Sequence, residues 1–351
     1  MTRFVQIHML TSYPPSNLNR DDLGRPKTAT MGGSTRLRIS SQSLKRAWRT
    51  SEVFEEGLKG HIGTRTKVMG VKVFEALLYT GVPEADAKMW SKQIGEIFGK
   101  RKRANPQKPL EELEIEQLVH LTPEEETAID NLVRKLADSR SAPTEEDLKL
   151  LRKQHTAVDI ALFGRMLAAK PEFNIEAAAQ VAHAITVHKV AVEDDFFTAV
   201  DDLNRGEEGL GAGHVGETEF AAGLFYLYLC VDRRSLQNNL GDQEELARQA
   251  ISGLVKAAAL VSPRGKQSSF ASRAYASYIL AEKGDQQPRS LSVAFLKPVT
   301  ANDMLADSVK RLEDTRKKMN KVYGPCADEH RIMNAATGQG SLQEIIKFAT
   351  E

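Results

Sequence analysis

The residues best suited to chemistry lie near the N-terminus. Ser40-Ser41-Gln42-Ser43 precedes the run LKRAWRTSEVFEEGL. A Ser of the 40–41 pair can cap a helix over that run. On such a helix Leu44, Ala47, Trp48 and Ser51 share one side, and Gln42, Lys45, Arg49 and their neighbour Arg46 share the other. A cationic face beside a helix N-terminus with free amides suits phosphate groups. Arg20, Lys27, Arg36 and Arg38 extend the charge upstream, so that residues 1–50 hold nine Lys/Arg against two acids. That density points to nucleic acid.

Other chemistries find less support. Asp21-Asp22 is the one acidic pair in this basic stretch. Two carboxylates can hold a divalent ion for phosphodiester cleavage, or they can cap backbone amides and pair with Arg20 and Arg25. No third ligand accompanies them. Cys230 and Cys326 fit no zinc spacing, and His183 and His188, five apart, do not share a helical face. No metal and no cofactor is expected. A phosphate loop is excluded, because RGKQSS (264–269) carries Gln267 where Ser or Thr belongs. No GxSxG occurs, and Gly209, Gly211 and Gly213 sit in an acidic stretch that reads as turn chemistry.

The whole chain sets the bounds. Its 351 residues are 41 % apolar and 27 % charged, with net charge +1, an ordinary globular composition for about two domains. No run of 18 apolar residues is present, so no membrane partner is expected. The N-terminus lacks a cleavage pattern, which predicts a cytoplasmic protein. Charge is polarised: residues 193–219 carry nine acids against one Arg.

The elements that must position these residues follow from periodicity. RFVQIHML (3–10) reads as a strand, 11–35 as a long polar loop, and RLRIS (36–40) as a short strand. One helix is expected from Leu44. Residues 65–160 read as mainly helical, with KRKRANPQK (100–108) as a basic loop. Residues 177–190 fit a helix or a strand. Residues 192–222 predict a long hairpin with a Gly-rich tip. Then come a buried strand (222–232), a helix (244–261), strands at 266–280 and 289–299, a helix (301–324) and a short terminal helix. This mixture predicts an α+β sandwich with helices on one face of an antiparallel sheet, built on a ferredoxin-like core.

LNRDD (18–22), Gly32-Gly33, RISSQSLKRAWR (38–49), DIALFGRM (159–166), AHAIT (182–186), FFTAVDDL (196–203) and GETEF (216–220) together resemble the CasC family. That family forms the backbone subunit of Cascade, the type I-E CRISPR surveillance complex. The resemblance implies an α+β, hand-shaped subunit. Its palm would be a modified ferredoxin-like (RNA-recognition-motif) fold at 1–58, 179–191 and 223–351. A helical fingers insertion would occupy 59–178, and a β-hairpin thumb 192–222. It also implies a non-catalytic subunit that stacks with further copies of itself along the CRISPR guide RNA. Each thumb would kink the guide, and the bases between kinks would pair with target DNA. Other Cascade subunits would be partners.

Carried onto this sequence, Ser40, Gln42, Lys45, Arg46 and Arg49 would grip guide phosphates, with Arg20, Lys27 and Arg38 adding backbone contacts. Lys266 is a further expected contact. Met166, Phe197 and Val215 would be apolar wedges against bases. The family contacts target DNA through lysine-rich fingers, for which the basic runs here are Lys100–Arg103 and Arg152-Lys153. The alternative, known among related backbone subunits, is a metal-dependent RNA-guided endoribonuclease using Asp21 or Asp22.

Overall fold

The first strand is buried on both faces, as a central strand must be. Val5, Ile7 and Met9 on one side and Gln6, His8 and Leu10 on the other are all 0 % exposed. The computed structural model describes the backbone of residues 2–200 and 212–351, and their side chains except at 199, 200 and 212–215.

Two compact units share the chain: Met1–Glu55, Gln180–Val231 and Ile251–Glu351 form one, and Glu56–Ala179 with Asp232–Ala250 the other. In chain order the elements are β1 (Phe4–Ser16), β2 (Thr28–Met31), β3 (Ser34–Ile39), α1 (Ser41–Arg49), α2 (Glu52–Glu56), β4 (Thr64–Thr66), α3 (Met69–Tyr79), α4 (Glu84–Phe98), β5 (Val119–Leu121), α5 (Pro123–Ser139) and α6 (Val158–Phe163). They continue with β6 (Ala179–Val181), β7 (Ala184–Thr186), β8 (Glu193–Val200), β9 (Ala212–Asp232), α7 (Arg233–Asn239), α8 (Glu244–Leu260), α9 (Gln267–Phe270), β10 (Ala276–Gly284), α10 (Met304–Tyr323), β11 (Glu329–Asn334) and α11 (Leu342–Thr350).

The first unit is built on a nine-stranded sheet in the order β11-β10-β1-β9-β7-β3-β2, with β6 and β8 also pairing to β9. The pairs β1–β10, β10–β11, β7–β9, β3–β7, β2–β3 and β8–β9 are all antiparallel. Leu10, Tyr226, Leu280, Phe295 and Leu312 pack together in one core cluster of this unit. The polar residues of β1 are satisfied within the sheet. His8 Nδ1 lies 2.8 Å from the Tyr226 hydroxyl and Nε2 3.3 Å from Glu282, and the Tyr228 hydroxyl donates to Gln6 Oε1 at 3.0 Å. Burial pushes the His8 imidazole down. Burial alone would raise the Glu282 carboxyl, but bonds from His8 and Arg289 outweigh it and bring the group down to about 2.

Four local expectations are corrected. The loop expected over 11–35 is strand at both ends, with 17–27 between the strands. β1 runs to Ser16, and β2 and β3 form a hairpin turned by Gly32 and Gly33, both at positive φ (58° and 71°). A Cβ on Gly32 would lie 1.7 Å from the Leu296 carbonyl oxygen, so that position admits no side chain. The single helix expected from Leu44 breaks at Thr50-Ser51, where the Ser51 hydroxyl accepts the Phe54 amide and starts α2. Residues 289–299 are not a strand: Ser292–Phe295 is a 3-10 turn that buries Leu291 and Phe295, four apart. Within 266–280 the strand begins only at Ala276, after α9. Residues 177–190, open between helix and strand, hold β6 and β7, and β11 was not anticipated.

The hairpin arms are β8 and β9, registered from Glu193↔Phe220 to Val200↔Ala212. β9 runs for 21 residues, from the hairpin into the main sheet, so one strand carries both hairpin and core. The expected tip glycines Gly206, Gly209 and Gly211 lie outside the described residues.

The second unit packs α3, α4 and α5 around Val73, Phe74, Leu77, Trp90, Ile94 and Leu136. α5 starts with a capping box, the Thr122 hydroxyl taking the Glu125 amide and the Glu125 carboxylate the Thr122 amide, with Pro123 in its first turn. Lys100, Arg101 and Lys102 of the basic run are paired with acids, at Glu116 (3.1 Å), Glu96 (2.6 Å) and Glu111 and Glu114 (3.0 and 2.8 Å). In the other run, the Arg152 guanidinium donates to the carbonyls of Lys149 and Leu151.

Candidate nucleic-acid interface

α1 has the two faces its sequence demands. Ser40 caps it in extended conformation, accepting the Ser43 amide at 3.3 Å. Leu44, Ala47 and Trp48 are buried at 3 %, 4 % and 1 % exposure, which anchors the helix to the core. Gln42 and Arg46 are exposed, and Lys45 and Arg49 half-buried. Partial burial pulls the Lys45 ammonium below the usual lysine range. A partly desolvated cation attracts a phosphate more strongly than one in bulk water. Lys45 and Arg49 are separated by about 6 Å along the helix axis, one turn apart. Arg46 and Arg49 also complement the negative end of the helix dipole.

The segment ahead of β2 is fastened beside this helix by backbone bonds. Lys27 N donates to Asn19 O, and Arg38 N to Lys27 O, both at 2.8 Å. Arg20 stands opposite Pro26 in an isolated antiparallel bridge. Asn19 Oδ1 takes the Ser40 amide at 2.8 Å. Arg20, Lys27, Arg38 and Ser40 thus lie on adjacent backbone segments from which α1 departs. The Arg38 guanidinium donates to His183 Nδ1 at 2.9 Å. His183 is pushed down by burial and by the charges of Arg38 and Lys27, and the neutral ring is the form that accepts this bond.

Asp21 has a different task. Its Oδ1 accepts the amides of Leu23 (3.0 Å) and Arg25 (2.9 Å), closing a turn. Asp22 is exposed. Among the described residues no group of three or more His, Cys, Asp or Glu is placed to hold a metal ion. Arg36, counted above with the surface charges, belongs to the core. It is 0 % exposed and donates to the carbonyls of Thr186 (3.0 Å) and Phe295 (2.9 Å). In the sequence it is indistinguishable from Arg38, two residues on and so on the same face of β3; the carbonyls of Thr186 and Phe295 around Arg36, and His183 beside Arg38, set the two apart.

The segment Arg264-Gly265-Lys266 joins the end of α1 to the hairpin base. The Arg264 guanidinium holds the carbonyl of Thr50, and Lys266 Nζ donates to the Thr218 hydroxyl at 2.6 Å. Between them a Cβ on Gly265 would meet Leu18 O at 2.3 Å and Asn17 O at 2.7 Å. Asn17 Nδ2 bonds the carbonyls of Gly24 and Glu219, and Arg25 pairs with the Glu219 carboxylate at 3.0 Å. Asn17 and Gly265 were missed as positioning residues, since only a close approach of two backbones gives them meaning.

The three apolar candidates differ. Phe197 is 43 % exposed and its ring lies over Gly216, its cross-strand partner, where a Cβ would meet Cζ at 2.3 Å. Phe196, on the other face, is 68 % exposed. Val215 stands opposite Thr198, and its side chain is outside those described. Met166 belongs to the second unit and is 78 % exposed. The preceding Arg165 is buried and pairs with both oxygens of Glu125 at 3.0 and 2.8 Å. Gly164 turns the chain at φ 82° after α6. Nearby, His120 Nε2 lies 2.8 Å from Asp159 Oδ2.

The arrangement offers cations, a helix face and exposed apolar groups, which is equipment for binding a polyanion. A chain described as "CRISPR RNA-guided surveillance complex, pre-nicking" is similar with a TM-score of 0.83 and 29 % identity, covering 99 % of both chains. A second, described as "CRISPR RNA-guided surveillance complex", has the same fold with a TM-score of 0.74 at 24 % identity and the same coverage. No curated protein matches. The model of the CT1975-like protein family, Cas_CT1975, matches residues 5–350. From β1 to the terminal helix, then, the chain belongs to the CT1975-like family.

Proposed function

We propose that this protein is a guide-RNA-binding backbone subunit of a CRISPR RNA-guided surveillance complex. The observation that carries the reading is α1: its apolar face is buried while Gln42, Lys45, Arg46 and Arg49 reach solvent. Family membership and the likeness to chains of such complexes over their whole length support it. In this reading copies of the chain stack along the guide, with other complex subunits at hand and target DNA pairing to the bases they leave exposed. The CasC-like segments support assignment to the type I-E line.

The hand-shaped division also belongs to the proposal. β10, β1, β9 and β7 adjoin in that order, and α1 and α8 fall between β1 and β7 and between β9 and β10 in sequence. That is a β-α-β-β-α-β path, which supports a modified ferredoxin-like palm. The hairpin β8–β9 would be the thumb and the helical unit the fingers. A non-catalytic role is supported at Asp21, whose carboxylate is engaged in a backbone turn.

The test is to purify the protein from cells that carry a CRISPR array and to extract its nucleic acid. Co-purifying RNA of uniform length is the expected result. Protein free of RNA would overturn the reading.

A further inference from the structure

A groove of about 800 Å³ opens in the sheet unit at the far end of α1, and none of the residues discussed above as guide contacts lines it. Its walls are Ser51-Glu52-Val53 on one side and the stretch from Leu260 to Tyr275 on the other, including Arg264, Gln267 and Arg273. Four observations give it a chemistry. Tyr275 is an aromatic side chain left 69 % exposed in the lining. The Arg273 guanidinium is exposed and has no side-chain partner among the described residues. Gln267 is fixed by its amide nitrogen, which donates to Pro263 O (2.7 Å) and Ser272 O (3.4 Å). Its Oε1 is left as a buried acceptor without a partner. Arg264, through its bond to the Thr50 carbonyl, ties the groove to the last turn of α1.

A flat ring, an arginine and an exposed carboxylate fit an unstacked nucleobase and its phosphate. The ring offers a stacking surface to any base. Arg273 can hold a phosphate oxygen. The carboxylate of Glu52, the acid of the lining, can accept an N–H from a base edge. A double helix would not present its stacked bases to such a cleft.

We infer that this groove binds an unpaired nucleotide of the RNA strand that crosses α1, with its base on Tyr275 and its phosphate on Arg273. The inference rests on the proposed function, since it extends the track of that strand beyond Arg49.

The test compares binding of the full chain to labelled single-stranded RNA and to DNA of the same sequence. Four proteins are used: wild type, Tyr275→Ala, Tyr275→Phe and Arg273→Ala. Loss of one stacked base predicts RNA affinity weaker by about 5- to 150-fold for Tyr275→Ala. Tyr275→Phe keeps the ring and should stay within about twofold of wild type. Arg273→Ala should flatten the salt dependence by about 0.7 in slope. Cross-linking to RNA containing 4-thiouridine should label the peptide bearing Tyr275. Because Tyr275 is on the surface, melting curves of all variants should superimpose. Unchanged RNA affinity for Tyr275→Ala overturns the groove, as does loss of DNA binding alone. Lys45→Glu with Arg49→Glu separates the two claims. If that pair abolishes binding while Tyr275→Ala does nothing, the guide track over α1 stands and the groove falls. If neither weakens binding, both fall.

Discussion

Reversing two charges on α1 gives the most informative perturbation. Lys45→Glu with Arg49→Glu changes a face that is half-buried, not core. A cation about 4 Å from a phosphate gains about 1 kcal/mol in bulk water, and more where partly desolvated. Reversal turns that attraction into repulsion, so each site changes by about 2 kcal/mol and the pair by about 4 kcal/mol. This corresponds to a loss on the order of 10³-fold in affinity at low salt. Two lost contacts to a single strand also flatten the plot of log affinity against log salt by about 1.4. Folding should change far less. Substitutions at such sites cost about 0.5 kcal/mol each, with up to about 1 kcal/mol more for a cation lost from the last turn. The assay is fluorescence anisotropy of labelled single-stranded RNA over a salt series, alongside a thermal melt. A variant that melts within a few degrees of wild type and keeps the wild-type salt slope would refute the reasoning, because it would make this face ordinary solvated surface.

Three further outcomes follow. Gly265→Ala forces a methyl to within 2.3 Å of Leu18 O, and should cost about 1–3 kcal/mol in stability by denaturant titration; a neutral result would mean that the 17–18 and 264–266 backbones part freely. Glu125→Ala leaves Arg165 buried without its carboxylate, and should destabilise by about 3–5 kcal/mol and release the turn carrying Met166; hydrogen exchange at 164–167 reads the second effect. Burial, reinforced by Arg165, brings His155 down to about 4, so the folded protein holds it neutral while the unfolded chain takes up a proton below pH 6.5. Stability from this site is therefore intact above pH 6.5 and lost as pH falls towards 4, on the order of 2 kcal/mol by pH 5. His155→Asn, which keeps an acceptor for the Ala157 amide, should flatten the stability–pH curve in that window; an unaltered curve would show that other groups set it.

Much of the first helix was legible in the sequence. The Ser40 cap, the buried Leu44–Trp48 side and the cationic side all follow from a 3.6-residue period and one capping rule. The helices of the second unit were legible for the same reason, and the capping box at Thr122 marks a start that Pro123 reinforces. Contacts distant in sequence were not legible. The end of β1 reads as loop because its partner strand lies far along the chain, β10 some 270 residues later, whereas β2 and β3 pair locally across Gly32-Gly33. Arg36 looked like its neighbour Arg38, and only the carbonyls of Thr186 and Phe295 make it a core residue. The basic run at 100–103 looked available, but three of its cations meet acids that sequence spacing alone does not select. Gly265 and Asn17 carry no local signal at all, because their role is a backbone approach between segments about 250 residues apart.

The central claim is that the cationic face of α1 holds a strand shared among copies of this chain. Native mass spectrometry of the protein mixed with single-stranded RNAs of increasing length tests it most directly. The account predicts that copies per strand rise stepwise with RNA length, and that the Lys45→Glu, Arg49→Glu protein joins none of these assemblies. One copy per strand at every length, or full assembly by that variant, would contradict it.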